Sequence, residues 1–302
     1  MEWGPFVGLV IALFTIDLLF GHRSNDLRAS ILWSAVWVSA GLAFGLFIWA
    51  MQGAEPAAAY YAAYVLEKSL SVDNIFVFVL IFSQLRIPAH QQHRVLLLGI
   101  VGALVMRALM IWGGVYLLQR FHWAIYPFAA LLLFAAARLL FGENTERRLV
   151  EESCAACTTW VAKIIPVTPM ADGQHFLVRI NGKLMATPMF VALILIETTD
   201  IIFALDSIPA VLAITRDPYI VYTSNIFALL GLRALYFVLA DVVQRFHYLR
   251  PGLAAVLCFV AAKMLLTGIL EISTAASLGV IAAIVLVAIA ASWVFPKPEP
   301  AK

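Results

Sequence analysis

Charge is scarce in this 302-residue chain: Lys, Arg, Asp and Glu make up 13%, against 63% hydrophobic residues. A water-soluble domain carries roughly 25% charged and about half apolar residues. The composition therefore excludes a chain that hides its apolar surface in one soluble core, and implies a polytopic membrane protein. Cysteine is rarer still, at three, which excludes a disulfide framework. Long basic runs are missing and the net charge is only +2, so there is no electrostatic footprint for nucleic acid. The opening "MEWGPFVGLVIALFTIDLLF" lacks a basic leader and a small-x-small cleavage pattern. It is read as a first membrane helix rather than a removed signal peptide.

What is present is a series of long apolar runs. A membrane span needs roughly 17–25 mostly apolar residues. Nine segments qualify, at about 3–20, 30–51, 58–83, 94–118, 124–141, 186–214, 220–241, 252–270 and 275–295. Basic residues fix the expected sidedness. The odd-numbered loops and the C-terminus hold Arg23, Arg28, Arg86, Arg94, Arg147, Arg148, Lys163, Arg179, Lys183, Arg245, Arg250, Lys297 and Lys302; the even-numbered loops hold only Arg120 and Arg216. Thirteen against two places the N-terminus outside and the C-terminus in the cytoplasm. Loop 142–185 is then the sizeable cytoplasmic segment. Within it, Asn181-Gly182 separates two short apolar runs, the preferred chemistry of a tight hairpin turn, and predicts a short β-hairpin. Cys154 and Cys157 form a lone C-x-x-C with only His175 nearby, which is too little for a zinc site.

The chain repeats itself. Aligning "EKSLSVDNIF" (67–76) with "DIIFALDSIP" (200–209) sets Glu67 on Asp200, Asp73 on Asp206 and Asn74 on Ser207. Downstream, Arg107 matches Arg233, "QRFH" at 119–122 recurs at 244–247, Pro127 answers Pro251 and Arg138 answers Lys263. The fold predicted is all-α: one membrane domain over 1–302, with repeat 1 at 58–141 and repeat 2 at 186–270. Each repeat holds three spans. An odd number makes successive units enter the membrane from opposite faces, giving the inverted repeat of many secondary transporters, with the site near the midplane.

That site is expected at the acids. A carboxylate at the bilayer centre costs ~3 kcal/mol on insertion scales, yet Glu67, Asp73, Glu197, Asp200 and Asp206 all fall inside apolar runs. With Asn74 and Ser207 they form a set of hard oxygen ligands suited to Mg²⁺, Ca²⁺ or Mn²⁺. Lys68, Arg107, Arg138, Arg233 and Lys263 are the buried counter-charges, and plain ion pairing is the competing reading. Six residues of intact helix set two carboxylates about 240° apart around the axis. Either the helices unwind between the acids, or each helix gives one acid to an ion and one to a counter-charge. Pro209 favours a break near Leu205–Pro209, because it offers no N–H to the Leu205 carbonyl. An intramembrane aspartyl protease is disfavoured, since no G-x-G-D run occurs.

These residues resemble a known family. "YVLEKSLSVDNIFVFVLIF", "GKLMATPMFVALILIETTDIIFALDSIPAVLAIT" and "YTSNIFALLGLRALYFVL" are similar to the TerC/Alx family of integral membrane proteins, over about Asp17 to Leu266. "ESCAACTTWVAKII" departs from that pattern. The family is named for tellurite resistance and is associated with manganese efflux and an alkaline-induced response. The resemblance implies that Glu67, Asp73, Asn74, Glu197, Asp200 and Asp206 are its acidic motifs. The expectation is a bacterial inner-membrane exporter, not an enzyme. It would move Mn²⁺ by alternating access, coupled to proton entry, with no permanently bound cofactor and with the divalent ion and the lipid bilayer as partners. The alternative is a non-transporting membrane scaffold of a stress-response or protein-metallation complex.

Overall fold

The computed structural model describes residues 3–20, 27–141, 143–168, 175–180, 182–239, 248–266 and 272–295. A helix lies on each of the nine apolar segments. In order these are α1 (Trp3–Phe20), α2 (Leu27–Gln52), α3 (Ala54–Gln84), α4 (Ala89–Arg120) and, after a 3₁₀ turn at His122–Ala124, α5 (Ile125–Phe141). A further helix, α6 (Glu143–Ile164), and the strands β1 (Leu177–Ile180) and β2 (Lys183–Ala186) fill the long loop. Then come α7 (Pro188–Leu212), α8 (Pro218–Leu229), α9 (Leu232–Leu239), α10 (Leu249–Leu265) and α11 (Thr274–Val294). By length and apolarity, four of the described helices can cross a membrane: Arg28–Gln52, Ala89–Arg120, Pro188–Leu212 and Thr274–Val294. The pair α8 and α9 taken together makes a fifth. Large apolar side chains cover the outside, with Trp112 and Trp293 respectively 74% and 77% exposed, a surface suited to lipid rather than water.

Local chemistry explains the element ends. Pro188 and Pro218 open α7 and α8, where the missing N–H costs nothing. The Asp217 carboxylate accepts from the Tyr219 N–H at 2.9 Å, and Ser273 Oγ accepts from the Ala276 N–H at 3.2 Å; both are N-caps. The strands pair antiparallel from Leu177↔Ala186 to Ile180↔Lys183. Gly182, at φ +78°, supplies a left-handed turn residue. Asn181, "QRFH" at 244–247 and the end of the second repeat segment, 267–270, lie outside the described residues.

One expectation about a helix break is corrected. α7 runs unbroken through Pro209, because the proline sits in the last turn, where only the Leu205 carbonyl loses a donor. The span expected at 220–241 is built from two helices, α8 and α9, bent by 42°. α8 stops at Leu229, and Gly231 at φ +80° turns the chain where an L side chain would be strained. A Cβ there would also collide with Trp37 of α2.

The core pairs helices across the two sequence units. α3 packs on α8 and α7, α4 on α7 and α8, and α5 on α10, while α2 and α11 flank α3. Close approach rests on small residues. A Cβ on Gly99 would lie 2.9 Å from Ile196, and one on Gly114 would lie 2.9 Å from Leu212. The Tyr60 and Tyr61 hydroxyls of α3 donate to the Gly41 and Leu42 carbonyls of α2 at 2.9 and 2.8 Å.

Candidate ion site

The acids divide between two places, and the helices carrying them stay intact. With the helices intact, α3 gives both Glu67 and Asp73 to arginine counter-charges, while α7 gives Asp200 to one. Arg107, from the middle of α4, is 1% exposed and is the hub. Its Nε and Nη2 donate to Asp200 Oδ2 and Oδ1, both at 3.1 Å. This two-pronged fork suits a guanidinium and a carboxylate. Its Nη1 donates to Glu67 Oε2 at 2.8 Å and to Asn225 Oδ1 at 3.4 Å. Glu67 and Asp200, the residues aligned in the two units, thus share one arginine. They are placed as an ion-pair network rather than as free ligands.

The second acid of each unit lies elsewhere. Asp73, Asn74, Asp206 and Ser207 line a cavity of about 60 Å³, with Arg107, Arg138 and Arg250 on its walls. A buried water needs roughly 10–15 Å³, so this space is large enough to hold water. Asp73 Oδ1 accepts from Arg250 Nε at 2.9 Å, and the Arg250 guanidinium lies 4.5 Å over the Phe76 ring, a cation–π contact. Asp206 has no hydrogen bond or ion pair to any described residue. Ser207 Oγ is buried and likewise lacks a hydrogen-bond partner among them. So one open carboxylate and one open hydroxyl face that space.

Glu197 joins neither group. It lies against Gly102 of α4, where any Cβ would overlap its carboxylate. Among the described residues no cluster of three or more His, Cys, Asp or Glu side chains is placed to hold a metal ion. In this structure Arg107 holds Glu67 and Asp200 apart from Asp73 and Asp206.

The counter-charges also need revision. Arg107 pairs with acids, and Arg138 lines the cavity. Lys68 donates instead to the carbonyls of Ala228 and Leu230 at 3.0 and 3.4 Å. Lys263 donates to Ser277 Oγ at 2.8 Å. It also lines a separate cavity of about 760 Å³ with Glu55 and Arg216. Arg233 is buried in α9. Two participants were missed. Arg250 was assigned to a loop because it precedes Pro251, but α10 begins at Leu249. Asn225 could have been found, since Thr223, Ser224 and Asn225 form a polar run inside an apolar helix.

Outside the helices of this site, the Cys154 thiol on α6 is pushed up to about 11, by burial first and then by Cys157 and Glu151. Burial also raises Cys157. Both cysteines are free and, as neutral thiols, are poor nucleophiles and poor metal ligands.

Comparison with known proteins adds relatives along almost the whole chain. The family described as "Integral membrane protein TerC family" matches residues 52–299. An uncharacterized membrane protein of Myxococcus xanthus is 47% identical over 301 residues, covering 99% of this chain and 93% of that protein. The protein named "Putative membrane-bound redox modulator Alx" of Escherichia coli (strain K12) is 42% identical over 305 residues, covering 97% and 94%. An uncharacterized membrane protein of Rickettsia bellii is 40% identical over 295 residues, covering 97% of each chain. No solved structure matches.

Proposed function

This chain belongs to the TerC family of integral membrane proteins, and we propose that it exports a divalent metal ion, Mn²⁺, across a bacterial inner membrane. The observation that carries the reading is the cavity where Asp73, Asn74, Asp206 and Ser207 meet. Two carboxylates, an amide and a hydroxyl are hard oxygen donors, and small hard dications are commonly held by one or two carboxylates with waters completing the shell. Arg250 neutralises Asp73 in this state. An entering dication repels that guanidinium, takes its place, and recruits Asp206. Mn²⁺ is the cargo rather than a resident cofactor, and the chain acts as a transporter, not an enzyme.

Alternating access between two inverted three-helix units fits the packing. Exchanging the units maps α3 on α8 onto α7 on α4, and both contacts are extensive. The aligned residues Arg138 and Lys263 line different cavities, as the walls of two alternately opened vestibules would. The nine-span topology, with the N-terminus outside and the C-terminus cytoplasmic, follows from the basic-residue asymmetry. Proton entry is the proposed counter-flow, on acids that release protons as the ion binds.

The arginine pairing of Glu67, Asp73 and Asp200 favours a second reading: a non-transporting scaffold with neutralised acids. Cells overproducing the chain separate the two. Export predicts faster loss of preloaded Mn²⁺, abolished by Asp206→Asn at unchanged protein level. Equal loss with the wild type, the variant and an empty vector supports the scaffold.

A further inference from the structure

We propose that the carbonyls at the α8–α9 break form a cation site, and that its resident cation is the Lys68 ammonium, tethered to the protein. The last carbonyls of a helix lack intrahelical donors and lie at the negative end of its dipole. Inside a bilayer, each unsatisfied backbone group costs several kcal/mol. In transporters with broken helices, such ends coordinate a free Na⁺. Here the break is at Leu230 and Gly231, with φ +80° at the glycine and a 42° change of direction. The Lys68 Nζ sits 3.0 Å from the Ala228 carbonyl oxygen and 3.4 Å from that of Leu230. Lys68 comes from α3, next to Glu67. Successive residues of α3 therefore reach the α8–α9 element, Glu67 through Arg107 to Asn225 and Lys68 directly. A tethered ammonium makes the break independent of any dissolved monovalent ion.

The test uses the purified full chain in detergent, unfolded by heat in equal concentrations of sodium, potassium, ethylammonium or choline chloride. The wild type melts at one temperature in all four. Lys68→Ala melts lower in choline and recovers by at least about 3 °C in sodium or ethylammonium, rising with concentration as mass action requires. Identical melting of Lys68→Ala in all four salts overturns the proposal, as does a sodium-specific gain in the wild type. Should Lys68→Ala yield no folded protein, Lys68→Gln decides. It keeps a donor one bond short of the lysine nitrogen but carries no charge, so it stays salt-sensitive if a cation is needed. Wild-type melting of Lys68→Gln in every salt overturns the proposal, because a neutral donor would then suffice. The readout is unfolding and not flux, so its outcome is separate from that of the export reading.

Discussion

Asp200 and Asp206 lie six residues apart on α7 and meet opposite surroundings. Asp200 is held by both prongs of Arg107, whereas Asp206 faces the cavity without a hydrogen bond to any described residue, with the Arg138 charge nearby. Asp206→Asn therefore leaves thermal stability nearly unchanged and removes export. Asp200→Asn leaves Arg107 with Glu67 as its one paired carboxylate, and Arg107→Met leaves two buried carboxylates unpaired. Breaking a buried pair costs roughly 3–5 kcal/mol, so Arg107→Met shows the larger loss of melting temperature and expression. Equal stability of the two Asp→Asn variants would contradict this division. At Cys154, a thiol pushed up to about 11 stays protonated at neutral pH. Because the folded value is raised, its contribution to stability holds at neutral pH, below the ordinary thiol value of 9.0, and is lost as pH rises from there through about 11. Alkylation by iodoacetamide is accordingly slower in the folded chain than after denaturation, and a faster folded-state rate would refute it. The sequence displayed the acids and Arg107 as buried charges, since any charge in an apolar run stands out. It did not display Arg250, because a base beside a proline at a predicted membrane edge reads as a loop residue.

Elements were legible where one signal dominated. Apolar runs marked the helices, and Asn181-Gly182 marked the strand pair. Helix breaks were less legible, because a proline's effect depends on its place in the helix. Pro209 removes one bond in a final turn, whereas Gly231 permits a φ of +80° in the middle of an apolar run. Gly231→Ala tests this. Left-handed backbone costs an L residue roughly 1–2 kcal/mol, and the added Cβ meets Trp37. A clear fall in melting temperature is expected. Gly102→Ala probes the α4–α7 seam, where the new methyl displaces the Glu197 carboxylate. Overpacking of this kind costs roughly 1–3 kcal/mol. Wild-type melting in either glycine variant would show that the seam or the break has slack.

At the scale of the whole molecule, the repeat is what lets the sequence speak about the site. Residues aligned at one offset arrive in common places: Glu67 and Asp200 on Arg107, and Asp73 and Asp206 around one cavity. Which acids pair with arginine could not be read from spacing, since six residues of helix separate the two acids of each unit without saying what either faces. Sidedness belongs to this scale too. In a chain otherwise free of cysteine, Ser153→Cys on the exposed face of α6 should resist a membrane-impermeant maleimide applied to intact cells and react after lysis; labelling in intact cells would reverse the topology.

The measurement that bears most directly on export is flux through the purified chain. Proteoliposomes holding a Mn²⁺-sensitive dye, challenged with external Mn²⁺, should show dye quenching with the wild type. Liposomes reconstituted with equal amounts of Asp206→Asn should show no more than protein-free controls. Absence of wild-type flux, or undiminished flux through Asp206→Asn, would contradict the account of an exporter whose ion sits between Asp73 and Asp206.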